Sequence, residues 1–133
     1  MAYANTPTLS AAKTISGRRH WTGTITETET AAASEWGPLG ADDLPARFTV
    51  VKIKAQKTAG SATTIAPVIA NATPATASTI AEEAAYTAAA FISDTTRVHV
   101  DNTAGSGMYG TTTPDAGTDN SVTTKLYIVE GWI

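Results

Sequence analysis

Residues 46–57 read ARFTVVKIKAQK, and their alternation decides what kind of protein this is. Apolar and polar side chains trade places at every second residue, the period of a strand with one covered face. Uninterrupted alternation puts Phe48, Val50, Lys52 and Lys54 on one side and Thr49, Val51, Ile53 and Ala55 on the other. Downstream, Thr58 to Ser61 make a turn, and TTIAPVIA (Thr63 to Ala70) returns as a strand. Pro67 within that run marks it as an edge strand or a bulge, because proline has no N–H for the ladder.

Upstream lies HWTGTITETET, His20 to Thr30, part of a strand starting near Arg19. Its threonines at 22, 24, 26, 28 and 30 share one face, with Trp21 and Ile25 on the other. The remaining strands are RVHVDNT (Arg97 to Thr103) and the closing SVTTKLYIVEGWI, where Leu126, Ile128 and Trp132 are expected on one face. Ala31 to Ala46, rich in glycine, proline and aspartate, reads as a long loop around Trp36. Residues 79–93 fit two patterns. Thr79 and Glu82 match a helical capping box, with Ile80, Ala84, Ala88 and Phe91 at helical spacing, yet 85–93 also suits a strand.

Short strands separated by turn signals indicate an all-β fold. The expectation is a two-sheet antiparallel sandwich, jelly-roll-like, with at most one short helix. Residues 1–17, small and polar, form an extended N-terminal arm, and residues 18–133 a single β-sandwich domain.

Composition narrows the function. Only 16% of the 133 residues are charged, while alanine and threonine contribute 25 each, so much of the surface carries short side chains. Such a surface loses little rotamer entropy when covered, which suits packing against a partner. A net charge of −3 lacks the basic excess that nucleic-acid binding requires. Without cysteine there is no disulfide and no thiolate chemistry. The N-terminus lacks the apolar segment of a signal peptide, and no apolar run reaches the roughly 18 residues of a membrane span.

Catalytic patterns fail on context. Gly105 to Gly110 match GxGxxG, but TTTPDAGTDN follows, where a phosphate-binding fingerprint needs a helix. Those residues read as a hairpin loop. Glu27 and Glu29, two apart on one strand face, lack the cleft that a glycosidase pair requires and read as a charged edge. His99 and Asp101 supply half of a metal site with no third ligand nearby. The chain is expected to be non-enzymatic, with no metal, no cofactor, and neither nucleic acid nor membrane as partner.

The threonine row admits an exposed sheet face or a protein interface. An ice-binding grid would need the TxT pair repeated from coil to coil, and no such repeat exists. Candidate partner contacts are Thr22, Thr24, Thr26 and Thr28, the basic cluster Arg18, Arg19 and His20, and Trp36 as an anchor or as loop packing.

VVKIKAQKTAGSATTIAPVI as a hairpin, RVHVDNTAGSG, the closing KLYIVEGWI, the polar arm and the Ala/Thr richness together resemble virion structural proteins of tailed bacteriophages, above all capsid decoration or cement proteins. That resemblance implies a β-sandwich on the outer capsid surface, made in the host cytoplasm and located on the virion. It implies the major capsid protein as partner, a homo-oligomer with a trimer favoured, and stabilisation of the assembled shell. The rival reading is a glycan-binding adhesin, with Trp36 and Tyr109 as its aromatics, or a tail or fibre module.

Overall fold

A computed structural model describes residues 7–29, 34–40, 43–70, 79–82, 86–87, 92–94, 97–103, 105, 107–114 and 120–133. The elements are β1 (Thr8–Leu9), β2 (Lys13–Ile15), β3 (Arg18–Glu29), β4 (Ser34–Leu39), β5 (Arg47–Ala59), β6 (Thr64–Ala70), β7 (Thr79–Glu82), β8 (Tyr86–Thr87), β9 (Ile92–Asp94), β10 (Val98–Asp101), β11 (Met108–Pro114) and β12 (Asn120–Glu130). None of the described residues is helical.

The strands form two antiparallel sheets. The first runs β1-β3-β12-β5-β10, with β2 also on β3 and β9 also on β5. The second runs β4-β11-β6-β7, with β8 also on β6. Successive long strands alternate between the sheets: β3 in the first, β4 in the second, β5 in the first, β6 in the second. The last strand, β12, returns between β3 and β5. That order is the double Greek key of a jelly roll.

Side chains from both sheets meet in one core. Trp21, Ile25, Phe48, Ile53, Leu126 and Ile128 come from the first sheet, and Trp36, Leu39, Ile69 and Met108 from the second. Burying each large apolar side chain contributes about 1.5–3 kcal/mol. Gly23 on the inner side of β3 leaves room for Leu39, since a Cβ there would lie 2.8 Å from its Cδ2. Glu27 also faces inward, 2% exposed, and accepts a 2.7 Å hydrogen bond from Thr112 Oγ1 of β11. The charged-edge reading of Glu27 is therefore corrected: this carboxylate lies between the sheets.

The structure corrects the phase of ARFTVVKIKAQK. Ile128 pairs with Val50 and Tyr127 with Lys52, so Val51 is an extra residue on β5. Such a β-bulge resets the alternation. Phe48, Val50, Ile53 and Ala55 all become buried, while Lys52 and Lys54 turn outward. On the other side of β5 its core-facing residues flank the same point, for β10 pairs Val98 with Val50 and β9 pairs Ile92 with Ala55.

Other elements also depart from the sequence reading. Residues 34–39 of the expected loop form β4, with Trp36 buried on it and a cis Gly37–Pro38 bond. Gly37 has φ of +130°, and Tyr109 Cα lies 3.0 Å from where its Cβ would be, so only glycine fits. β5 and β6 do not form a hairpin; their connection crosses between sheets. β6 is flanked on both sides, by β11 and by β7 with β8. Pro67 nevertheless falls where it does least harm, because the described pairings on the β7/β8 side involve 64–65 and 68–70.

The possible helix over 79–93 is replaced, where described, by β7, β8 and β9. Residues 83–85 and 88–91 lie outside the described residues. The Gly105–Gly110 stretch is likewise not the expected hairpin loop, since β10 and β11 belong to different sheets and Met108 to Gly110 already form the start of β11. Asn102 pins it: Gly107 N–H donates to its Oδ1 at 2.9 Å, and Gly105 N–H to its carbonyl at 2.9 Å.

Candidate functional site

The outer face of the first sheet is built by three central strands in register. Thr22 of β3 lies opposite Tyr127 of β12, and Tyr127 opposite Lys52 of β5. The next rows are Thr24–Lys125–Lys54 and Thr26–Thr123–Gln56. Thr22 and Thr24 are half-buried and Thr26 is exposed, while Trp21, Gly23, Ile25 and Glu27 between them are buried. Thr28 pairs with Ser121 in the same outward phase.

Alternation alone puts Arg18 and His20 on this face. The N-terminal strands close its outer edge. β1 pairs Thr8 with Thr24, and β2 pairs Lys13 with His20. Ser10 bridges the gap: its N–H donates to Thr22 O at 2.9 Å, and its Oγ accepts from Thr22 N–H at 2.8 Å. No backbone group of Thr22 is left for a stray strand to pair with.

Between these strands and the bulge lies a cleft of about 310 Å³. Val51, Tyr127, Ile128 and Val129 line it, with Lys13, Ile15 and His20 along its β2 and β3 side. A shallower hollow of about 360 Å³ continues from it over Lys52 and Lys54. The Lys54 ammonium sits 5.4 Å from the centre of the Tyr127 ring, a cation–π contact. Ile15 on the rim is 54% exposed, the largest exposure of any described large apolar side chain.

At the other end, the last three residues fold over the same face. Thr49 Oγ1 donates to Gly131 O at 2.7 Å and accepts from Ile133 N–H at 3.2 Å. Trp132 Nε1 donates to Val100 O at 3.0 Å, and its ring stacks on His99 at 5.8 Å, with Arg47 4.9 Å from its centre. Trp132 is 46% exposed, so the expectation that it shares one face with the buried Leu126 and Ile128 is corrected. β12 ends at Glu130, and the turn at Gly131 carries Trp132 out of phase.

The sequence-derived contacts separate in space. His20, Thr22, Thr24 and Thr26 belong to the outer face. Arg18 leans on the sheet end, donating from Nη1 to Glu130 O at 2.9 Å. Arg19 forms an ion pair with Glu130 at 2.8 Å and lies 5.2 Å from the Trp21 ring centre. Bonding to the Arg19 side chain, then to its backbone N–H, holds the Glu130 carboxyl below the usual range. Trp36, 2% exposed in the core, is not presented to any partner, and it packs inward from β4 rather than from the expected loop.

Asp101 accepts hydrogen bonds from the Thr103 hydroxyl and N–H, which keep its carboxyl below its ordinary range. Among the described residues no group of three or more His, Asp or Glu is placed to hold a metal ion. Lys52, Lys54 and Tyr127 escaped the sequence reading. Uninterrupted alternation phases the two lysines with Phe48 and Val50, and Tyr127 gains importance only from its neighbours.

No protein-family model and no curated protein sequence matches the chain. A solved structure described as "CBM4 structure and function" is similar at 10% sequence identity and a TM-score of 0.35, covering 91% of this chain and 89% of that one.

Proposed function

We propose that the chain is a non-enzymatic β-sandwich that docks in many copies on the outside of a protein shell, as a virion decoration or cement protein does. The observation that supports this is the outer face of the first sheet: three registered rows of threonine, lysine, glutamine and tyrosine between an N-terminal and a C-terminal cover. Threonines on a pleated surface are already stiff in χ1, so covering them sacrifices little entropy. A sandwich that binds only the assembled lattice stabilises that lattice by mass action. Many copies, each bridging neighbouring shell subunits, multiply a modest contact through effective concentration.

The glycan-binding alternative loses its aromatics. Trp36 is buried, Tyr109 is half-buried over Gly37, and the Tyr127 ring already carries Lys54. Sedimentation of a lysate from the native source, with mass spectrometry of each fraction, tests the proposal. The expected result is this chain in many copies with megadalton particles. Recovery in the light fraction alone would overturn it.

A further inference from the structure

The described charges on the outer face of the first sheet are mostly of one sign. Six of its nine lysines and arginines, Lys13, Arg18, Arg47, Lys52, Lys54 and Lys125, occupy outward register positions of the first sheet. Among the described side chains, Asp101 is the one carboxylate at such a position. Six bases against one acid leave these outward positions, among the described side chains, at +5. Among the described residues, the ion pair formed is Arg19–Glu130, and no carboxylate pairs with Lys13, Lys52, Lys54 or Lys125.

The bulge concentrates this charge around the cleft. Because Val51 and Lys52 are both off the core side, β5 offers an apolar floor residue and a cation in succession. The opening thus has an apolar floor of Val51, Tyr127 and Val129, an exposed apolar rim at Ile15, and ammonium groups at Lys13 and Lys52. Its 310 Å³ corresponds to roughly ten waters of liquid volume, enough for an aliphatic side chain but not for a folded element.

We infer that this cleft receives an acidic segment of a protein partner, with an aliphatic side chain on the Val51–Tyr127–Val129 floor and carboxylates against Lys13, Lys52 and Lys54. The inference rests on the docking reading above and names the chemistry of its partner. Complementary charge raises the association rate and fixes register, and it weakens with salt as the Debye length falls below about 10 Å. A sugar would need an open aromatic face, and the Tyr127 face is occupied by Lys54.

The test is an ¹⁵N-NMR titration of the full chain with a synthetic ten-residue peptide of alternating glutamate and leucine, in 25 and 300 mM salt. Expected are shifts confined to amides near His20, Val51, Lys52, Tyr127 and Val129, weakened at least tenfold by salt. The double substitution K52E/K54E is expected to reduce affinity by at least tenfold while the spectrum stays folded. Shifts elsewhere, no salt dependence, or equal binding by K52E/K54E would overturn the inference. Stronger response to polygalacturonate than to the peptide would also overturn it, in favour of an acidic glycan. Particle co-sedimentation of the unsubstituted chain reads the docking proposal separately. Attachment that survives K52E/K54E sinks the acidic cleft alone, and no attachment of either form sinks the docking proposal.

Discussion

The two faces of the first sheet are made by the same residues' backbones and could hardly differ more in what they do. Inward, Trp21, Ile25, Phe48, Ile53, Leu126 and Ile128 interlock with the second sheet. Outward, the same strands show threonine, lysine and tyrosine, covered at one end by β1 and β2 and at the other by Gly131 to Ile133. Between those covers no described strand lies over the face. The inner face therefore carries the fold's free energy, and the outer face is free to serve a partner.

Substitutions on the two sides of β5 test this division. Ile53→Ala removes a side chain 1% exposed and is expected to destabilise the protein by about 3 kcal/mol in chemical denaturation. Its outward neighbour in Lys54→Ala should cost less than about 0.5 kcal/mol. Comparable effects at the two positions would dissolve the distinction.

Trp132 probes the covered end. It is half-exposed but holds a hydrogen bond to Val100 O and contacts with His99 and Arg47. Trp132→Ala is expected to cost about 1 kcal/mol, well short of a core deletion. A loss as large as that of Ile53→Ala would mean that the C-terminal cover is part of the core in all but exposure.

The smallest expected effect lies at the sheet end. Glu130 has its folded pKa lowered, mainly by Arg19, so its contribution is present above the unfolded value of roughly 4.3. That contribution is lost as pH falls through the lower folded value. Glu130→Gln should therefore lower stability at neutral pH by the little that an exposed pair contributes and leave the acid end unchanged, so that the acid limb flattens. A substitution that steepened the acid limb would reverse the assigned direction.

Much of this was legible in residue order. Alternation in the chain specifies strands, and short strands without helical runs specify an all-β sandwich, because a pleated segment with one apolar face must be covered by another. The outward threonine row followed from Trp21 and Ile25 in the opposite phase. The glycine-rich stretch after Asn102 reads locally as a hairpin loop, whereas its flanking strands β10 and β11 lie in different sheets.

What local pattern does not carry is which strand lies beside which, and where one residue too many is absorbed. β12 inserts between β3 and β5 through contacts about a hundred residues apart in the chain in the first case, a separation that leaves no mark on either segment. The bulge at Val51 is decided by whether Ile53 or Lys52 is buried, and the core of the second sheet makes that choice. Glu27 and Trp36 were placed wrongly for the same reason: one looks like surface and the other like loop until Thr112 and the inner face of β3 are packed against them. Residue order specifies periodicity, since that depends on neighbours along the chain. Strand partners, the phase shift of β5 and the basic cleft it creates depend on neighbours in space, so only the packed sandwich decides them.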